Sequence, residues 1–316
     1  MDNLTHTLVG LALTETGLKR TTRLATATLV VAANLPDVDG LVYLFGGSTD
    51  GLAFRRGWTH GVLAMVLLPP LLVALLLGWD RLRGRKPGLR AAWLLVLAAI
   101  GVWSHPLLDL LNTYGVRLLM PFSRRWFYGD ALFIVDPWVW LALLLGITLS
   151  RRRARVSTPA PPSAGRPAQL ALGLVAAYAL AMALASGYAV RSVERTNPDE
   201  RATRSMASPV FGNPFQWDIV RAFGPGYEEG TLRLLPLDYT VLRNRSVRLL
   251  PETVVAAQTR AGAAFLAWAR FPVYRVESAG DSLDVIISDA RYEGRGTRSW
   301  ARVTIRVPAV QRKERM

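Results

Sequence analysis

The chain of 316 residues has three histidines, and these are the residues of the sequence best suited to metal binding. They are His6 in D-N-L-T-H-T, His60 in R-G-W-T-H-G and His105 in S-H-P-L-L-D-L-L-N-T-Y-G. The chain has no cysteine, which excludes disulfides, thiolate metal sites and cysteine nucleophiles. We therefore expect any metal ion to be held by imidazole and carboxylate ligands.

A small number of aspartates lie in the same part of the sequence as these histidines. Asp37 and Asp39 are separated by one residue in N-L-P-D-V-D, a spacing at which both carboxylates can reach one ion, or each can reach one of two ions. Asp109 follows His105 by four residues and Asn112 follows Asp109 by three, which places them on one helix face within an arc of about 60°. Asp109 can thus ligate the same ion as His105 or orient its imidazole.

Neutral imidazoles and carboxylates favour Zn²⁺, with Mn²⁺ and Fe²⁺ as alternatives. The candidate metal ligands are His6, Asp37, Asp39, His60, His105, Asp109 and Asp136. This set exceeds one tetrahedral site with an open position, so we expect one or two ions. Two simpler interpretations stay open. The aspartates beside Pro36 also fit a helix break, and Asp136 also fits the cap of a helix that begins at Pro137.

A site of this kind predicts hydrolytic chemistry. It would lower the pKa of bound water to about 7 and would bind a phosphoryl oxygen. Asp37 or Asp109 can serve as a general base where it is not a ligand. Arg56, four residues before His60, is a candidate clamp for a phosphate group. The candidate catalytic residues are therefore Asp37, Asp109 and Arg56.

Long stretches with few charges predict membrane-spanning helices, since about 20 apolar residues cross the roughly 30 Å of hydrocarbon in a bilayer. The candidate stretches are residues 4–18, 24–45, 61–79, 91–108, 131–150 and 167–190. The first is short, and aspartates interrupt the second and the fifth. The composition is 51% hydrophobic, and the mean hydropathy is +0.23. We expect a mainly α, polytopic membrane protein with about six membrane helices.

The distribution of charge predicts how these helices are oriented. The net charge is +15, and the basic residues of the first 190 positions cluster at residues 19–23, 81–90 and 151–166. The positive-inside tendency places these clusters in the cytoplasm. The N-terminus, the candidate ligands and the C-terminal region then lie on the outer side. Because topology explains the arginines, nucleic-acid binding is disfavoured.

Composition also divides the chain into four parts. Residues 1–150 are expected to form a helical membrane domain that carries the metal site, followed by a Pro-rich linker at residues 151–167 and an anchor helix at residues 168–190. Residues 191–316 contain turn signals, alternating stretches typical of strands, and one helix candidate at residues 252–270. They predict an α+β, mostly β domain outside the membrane.

The motifs N-L-P-D-V-D, R-G-W-T-H-G and S-H-P-L-L-D-L-L-N-T-Y-G, preceded by the histidine at position 6, resemble a known family over roughly residues 1–150. It is the inner-membrane metal-dependent hydrolase family, also described as LexA-binding, inner-membrane-associated hydrolases. The resemblance implies a bacterial plasma-membrane protein whose helical core is distantly similar to the zinc-dependent phospholipase C fold. The metal ligands that it implies are His6, Asp37, Asp39, His60, His105 and Asp109. Asp136, in F-I-V-D-P-W, resembles a feature of longer members of the family.

These observations predict a membrane-bound, metal-dependent hydrolase that acts at the outer membrane face through metal-activated water. A site at the level of the lipid headgroups favours a phosphoester or other ester in a lipid or lipid-linked substrate, with membrane lipids as partners. One alternative is a transporter that uses the His and Asp side chains as an ion or proton relay. Another is a non-catalytic interaction protein with a structural metal site and a partner-binding β domain.

Overall fold

The computed structural model describes residues 1–45, 48–84, 89–156, 161–196, 202–224, 226–247, 249–293 and 301–308. Residues 85–88 of the predicted basic cluster and residues 157–160 of the predicted linker lie outside the described residues. The chain forms two compact units. The first unit consists of Met1–Gly40, Arg56–Gly187 and Ser208–Pro214; the second consists of Leu41–Arg55, Tyr188–Ala207 and Phe215–Met316.

Helices make up most of the first unit and a small part of the second. In chain order the α-helices are α1 (Asn3–Glu15), α2 (Ala25–Asn34), α3 (Val42–Phe45), α4 (Ser48–Phe54), α5 (Val62–Leu82), α6 (Ala91–Leu110), α7 (Pro137–Arg155), α8 (Arg166–Thr196), α9 (Pro251–Gln258) and α10 (Arg260–Trp268). A 3₁₀ segment, Leu35–Leu41, continues α2 directly. The change from α to 3₁₀ geometry occurs beside Pro36, because proline has no N–H group to donate to the carbonyl oxygen four residues earlier.

Four helical segments of the described residues are long and apolar enough to cross a membrane. They are Ala25–Leu44, Val62–Leu82, Ala91–Leu110 and Ser163–Arg195. The predicted fold class, a helical membrane part followed by a mostly β part, is confirmed. The spans are fewer than the six or so expected, because α1 has only 13 residues and α7 carries four arginines in its last five residues.

Glycines let α1, α2 and α6 pack closely. A Cβ atom at Gly101 of α6 would overlap the side chain of Ala32 on α2 and would lie 3.1 Å from the carbonyl oxygen of Leu29. A Cβ atom at Gly10 of α1 would lie 3.1 Å from the same carbonyl oxygen. This close packing brings the first turns of α1 next to the last turns of α6, where both helices carry a histidine.

Charged residues at the other end of α1 are paired. Glu15 accepts a hydrogen bond from Arg151 Nε at 2.9 Å and also pairs with Lys19. Arg23 pairs with Asp80, at the end of α5. The basic members of these pairs belong to the clusters that the sequence places on the cytoplasmic side.

Two sheets dominate the second unit. The strands are β1 (Arg204–Val210), β2 (Asn213–Phe223), β3 (Gly226–Leu234), β4 (Leu237–Ser246), β5 (Pro272–Ala279), β6 (Ser282–Asp289) and β7 (Arg302–Pro308). One sheet has the order β1-β2-β3-β4 and the other β5-β6-β7. β2, β3 and β4 pair antiparallel, as do β5, β6 and β7. α9 and α10 occupy the region of the single predicted helix, because Thr259 adopts an extended conformation and caps α10 by accepting a hydrogen bond from the N–H of Gly262.

Candidate metal centre

Most of the predicted metal ligands come together in the first unit. Four elements contribute: α1, the 3₁₀ segment Leu35–Leu41, the turn before α5, and the last part of α6. The residues that they supply, in that order, are His6; Asp37 and Asp39; Arg56 and His60; and His105 and Asp109. Apart from Asp37, none of these residues is more than 4% exposed. Side chains from distant positions in the sequence thus form one buried cluster, which we call the metal centre.

A pair of imidazoles lies at the middle of the metal centre. Nε2 of His60 lies 3.1 Å from Nε2 of His105. Oδ2 of Asp109 lies 3.4 Å from the first nitrogen and 3.5 Å from the second. Oδ1 of Asp37 lies 3.8 Å and 3.7 Å from the same two atoms. The carboxylates of Asp37 and Asp109 therefore both lie near the Nε2 atoms of the two imidazoles.

His6 packs against His105. Its ring stacks on that of His105, with 3.7 Å between the ring centres and 15° between the planes. His6 Nε2 also lies 3.4 Å from Asp109 Oδ1. Two groups of side chains could each hold a metal ion, His6 with His105 and Asp109, and Asp37 with His60 and His105. Within each group the ligand atoms all lie within 4.8 Å of one another, and His105 belongs to both groups.

Hydrogen bonds on the far side of two rings determine which nitrogen faces the metal centre. Nδ1 of His105 lies 2.7 Å from the carbonyl oxygen of Ala33, which only accepts, so Nδ1 carries the proton and Nε2 presents a lone pair. Nδ1 of His60 lies 3.3 Å from Oδ2 of Asp39 and 2.9 Å from Oγ1 of Thr59. The carboxylate of Asp39 favours a proton on that nitrogen too. Both histidines can thus act as neutral metal ligands through Nε2.

Asp39 stands behind His60 and belongs to neither group of candidate ligands. Its Oδ2 accepts hydrogen bonds from the main-chain N–H of Arg56 at 2.7 Å and from Oγ1 of Thr59 at 2.9 Å. Asp39 thus contacts the far side of the His60 ring, and its role as a metal ligand stays a prediction. Thr59 contacts both Asp39 and His60, and it was not identified from the sequence. Its position next to His60 in the chain is the sequence feature that could have indicated it.

Asp136 also belongs to neither group. Its Oδ1 accepts hydrogen bonds from the N–H groups of Trp138 at 3.0 Å and Val139 at 3.2 Å. The hydroxyl of Tyr178 donates to its Oδ2 at 3.2 Å. Asp136 therefore caps α7, as the alternative interpretation of the sequence has it, and the structure does not bring it into the metal centre.

Arg56 is a buried cation at the edge of the metal centre. Its Nη2 lies 3.1 Å from Asp109 Oδ1, and its Nη1 donates to Oδ1 of Asn112 and to the carbonyl oxygen of Gly115, both at 3.2 Å. The guanidinium lies 4.6 Å from the ring centre of Tyr114. The φ of Arg56 is 51°, a conformation that a non-glycine residue keeps only when its surroundings hold it. Asn112 thus helps to hold the Arg56 guanidinium beside the carboxylate of Asp109.

The donor set fits a divalent cation. Nε2 of His6 and Oδ2 of Asp109 are buried and make no hydrogen bond to any residue that the structure describes. Asp109 Oδ1, by contrast, contacts the main-chain nitrogen of Met1 as well as Arg56. Buried acceptors without a partner are destabilising, and a bound cation would satisfy both. Imidazole nitrogen and carboxylate oxygen are ligands that Zn²⁺ and Mn²⁺ accept.

Comparison with known proteins identifies the family. The family described as YdjM inner membrane protein matches residues 1–193, which is more than half of the chain and includes the whole metal centre. The chain belongs to the YdjM family. The family membership and the inner-membrane location predicted from the sequence motifs are thereby confirmed.

Two relatives extend this comparison. Inner membrane protein YbcI of Escherichia coli (strain K12) is 32% identical over 149 residues, which cover 39% of this chain and 82% of that protein. Uncharacterized protein YfhP of Bacillus subtilis (strain 168) is 24% identical over 164 residues, which cover 47% of this chain and less than half, 46%, of that protein. No solved structure matches the chain. The names of the YdjM family and of YbcI give a membrane location and no reaction.

Proposed function

We propose that this YdjM family protein is a membrane-bound, metal-dependent hydrolase that cleaves a phosphoester in a lipid or lipid-linked substrate. The observation that carries the proposal is the convergence of three buried imidazoles with Asp37 and Asp109 beside the guanidinium of Arg56. Ionisable side chains within membrane segments are energetically unfavourable and are generally functional. Metal ligands of these types are common in hydrolytic centres.

One or two divalent ions would be held by the two ligand groups that share His105, with Zn²⁺ as the first candidate and Mn²⁺ as the alternative. When bound, such an ion acidifies water and polarises a phosphoryl oxygen. The protein itself keeps His60 and His105 neutral and holds their Nε2 atoms toward the ion. Asp39 and the carbonyl group of Ala33 do this from behind the two rings.

Asp37 is the carboxylate best placed for proton transfer. Its side chain is 6% exposed, whereas those of Asp39 and Asp109 are fully buried. Its Oδ1 lies 3.7 Å from the nearer Nε2 atom. Where the ion is held by the other ligand group and does not bind Asp37, this carboxylate can take up the proton of an attacking water as a general base. Arg56 would bind the phosphoryl oxygens and offset the negative charge that develops on them.

Exposed apolar side chains next to the ligands support a lipid substrate. Val38, between the two aspartates, is 46% exposed, and Trp58, two residues before His60, is 50% exposed. Leu107, two residues after His105, is 58% exposed. Apolar surface of this kind suits hydrocarbon chains.

A structural metal site is the second candidate function. The observation that favours it is the complete burial of four candidate ligands, each of which is 0% exposed. These residues are His6, His60, His105 and Asp109. An ion there would tie together α1, α6 and the turn before α5, and its removal would lower stability without affecting any turnover.

A hydrolysis assay separates the two candidates. The protein, purified in detergent and loaded with Zn²⁺ or Mn²⁺, is given p-nitrophenyl phosphate, short-chain phosphatidic acid and short-chain phosphatidylglycerol. Asp37→Asn should lower the rate at least about 100-fold, because an amide does not take up the proton. Asp281→Asn, in an exposed turn of the second unit, should leave the rate unchanged. A metal-loaded, folded wild type that hydrolyses none of the three substrates would contradict the proposal and favour the structural site.

A further inference from the structure

Arg117 is a second buried arginine next to the metal centre. It lies in the connection between α6 and α7 and is 7% exposed. Its main-chain N–H donates to the carbonyl oxygen of Arg56 at 2.8 Å. Its guanidinium lies 4.9 Å from the ring centre of Trp126, in cation–π geometry. In the predicted topology this arginine is an exception to the positive-inside tendency, and its side chain is buried.

Gly57 leaves the space that this guanidinium occupies. A Cβ atom at Gly57 would lie 2.7 Å from Nη2 and 2.9 Å from Cζ of Arg117. The guanidinium therefore packs against the main chain of the residue that follows Arg56. In R-G-W-T-H-G the glycine places Arg117 close to the segment that carries both Arg56 and His60.

The surroundings of Arg117 connect it to the metal centre electrostatically. Burial lowers the pKa of its guanidinium from the ordinary value, and the negative charge of Asp39 acts in the opposite direction. Asp39 in turn contacts His60. The guanidinium of Arg56 thus lies beside Asp109, and that of Arg117 packs against Gly57, the residue after Arg56.

The balance of charge in the metal centre favours an anionic ligand. The side chains are three carboxylates (Asp37, Asp39 and Asp109), two guanidiniums (Arg56 and Arg117) and three neutral imidazoles, so their net charge is −1. One divalent ion changes this to +1, and two ions change it to +3. Buried charge without a counter-charge is strongly destabilising, so a loaded centre attracts an anion.

We propose that Arg56 and Arg117 together form a site for a phosphate anion, and that Arg117 determines selectivity for a phosphoester over an uncharged ester. The proposal rests on the hydrolase function proposed above and narrows its substrate class. The shared chemistry is the phosphate oxyanion, whether it belongs to a lipid headgroup or to a water-soluble ester. Planar guanidiniums suit this group because they donate paired hydrogen bonds to its oxygens.

Phosphate binding by four forms of the protein tests this site. The forms are wild type, Arg117→Gln, Arg117→Lys and Arg125→Gln, a control at an exposed arginine of the same connection. Each is purified in phosphate-free detergent, and its metal content and thermal unfolding are measured first. Calorimetric titration then uses inorganic phosphate in one arm and short-chain phosphatidic acid in micelles in the other.

Arg117→Gln should weaken phosphate binding about 10- to 100-fold at unchanged metal content, because a charge-assisted hydrogen bond is lost. Arg117→Lys should restore part of the affinity, and Arg125→Gln should bind like wild type. If Arg117→Gln weakens the binding of inorganic phosphate alone, the result assigns a water-soluble ester as the ligand. If it weakens binding in both arms, the result assigns a lipid headgroup.

A folded Arg117→Gln variant that binds both probes as tightly as wild type would overturn this inference and leave the hydrolase proposal standing. If Arg117→Gln does not fold, Gly57→Ala takes its place, because the added methyl group would displace the Arg117 guanidinium. Phosphate affinity equal to that of wild type in a folded Gly57→Ala variant would overturn the inference in the same way. A wild type without metal would contradict both the hydrolase proposal and this inference, because only the loaded centre has the net positive charge that attracts an anion.

Discussion

Contacts at Nδ1 of two histidines determine which ring nitrogen is left with a lone pair for a metal ion. His105 donates from Nδ1 to the carbonyl oxygen of Ala33, and His60 is held at Nδ1 by Asp39 and Thr59. The ring nitrogens that meet at 3.1 Å are therefore both lone-pair donors, an arrangement suited to a cation between or beside them. Spacing in the sequence identified the histidines, but it could not show that Asp109 lies beside the Nε2 atoms and Asp39 beside Nδ1 of His60.

The role of Asp39 gives the first prediction. Asp39→Asn should lower metal affinity about 10- to 100-fold, because an amide that donates to His60 Nδ1 moves the imidazole proton to Nε2 and removes the lone pair. Competition with a chromogenic chelator measures this affinity, with Asp281→Asn as the control of equal charge change. An unchanged affinity in a folded Asp39→Asn variant would show that this carboxylate does not orient His60.

The position of Asp136 gives the second prediction. Asp136→Asn should keep the full metal content, since an asparagine oxygen can still accept from Trp138 and Val139 at the start of α7. Asp136→Ala should also keep the metal and should lower the free energy of unfolding by about 1 kcal/mol, the usual effect of losing a helix cap. Loss of the metal ion in Asp136→Asn would show that Asp136 is a metal ligand.

At the scale of elements, the helices of the membrane part were predictable and the turns between them were not. The four-residue spacing of His105 and Asp109 placed both on one face of α6, and Pro36 marked the end of α2. The approach of α1 to α6 depends on tertiary packing. The burial of Arg117 depends on a glycine 60 positions away in the chain, which a local pattern does not reveal.

The packing of α2 against α6 gives the third prediction. Gly101→Ala should lower the free energy of unfolding by about 1–3 kcal/mol, because the added methyl group overlaps Ala32 and overpacks the contact. Metal affinity should fall with it, since His105 lies one turn further along α6. Gly78→Ala on α5 is the matched control, because a Cβ atom there has no described neighbour within 4 Å.

Thermal unfolding in detergent and chelator competition measure both effects on the same samples. Equal stability and equal metal affinity of the two alanine variants would contradict the close α2–α6 contact.

At the scale of the whole molecule, the chain joins a helical unit that contains the metal centre to a mostly β unit. The change in composition after residue 190 predicts a separate domain there, and the match to the YdjM family ends at residue 193. One segment from the first part of the chain, Leu41–Arg55, nevertheless belongs to the second unit. Composition along the chain could not predict this assignment, because it reports local preference and not tertiary contacts.

The orientation in the membrane gives the fourth prediction. Because the chain has no cysteine, single cysteines can be introduced without a background signal. Asp281→Cys in the second unit should react with a membrane-impermeant maleimide in intact spheroplasts, since the arginine clusters predict that this unit lies outside the cytoplasm. Arg83→Cys, after α5, should react only once the membrane is permeabilised. The reverse pattern would contradict the predicted topology.

Metal content tests the central claim most directly. Plasma mass spectrometry on detergent-purified protein should find one or two equivalents of zinc or manganese in wild type and in Asp281→Asn. His105→Ala should lose all of it, because His105 belongs to both ligand groups. His60→Ala should lose at least the ion of its own group. A folded wild type that holds no divalent metal, even after incubation with Zn²⁺ and Mn²⁺, would contradict the metal centre and the function proposed from it.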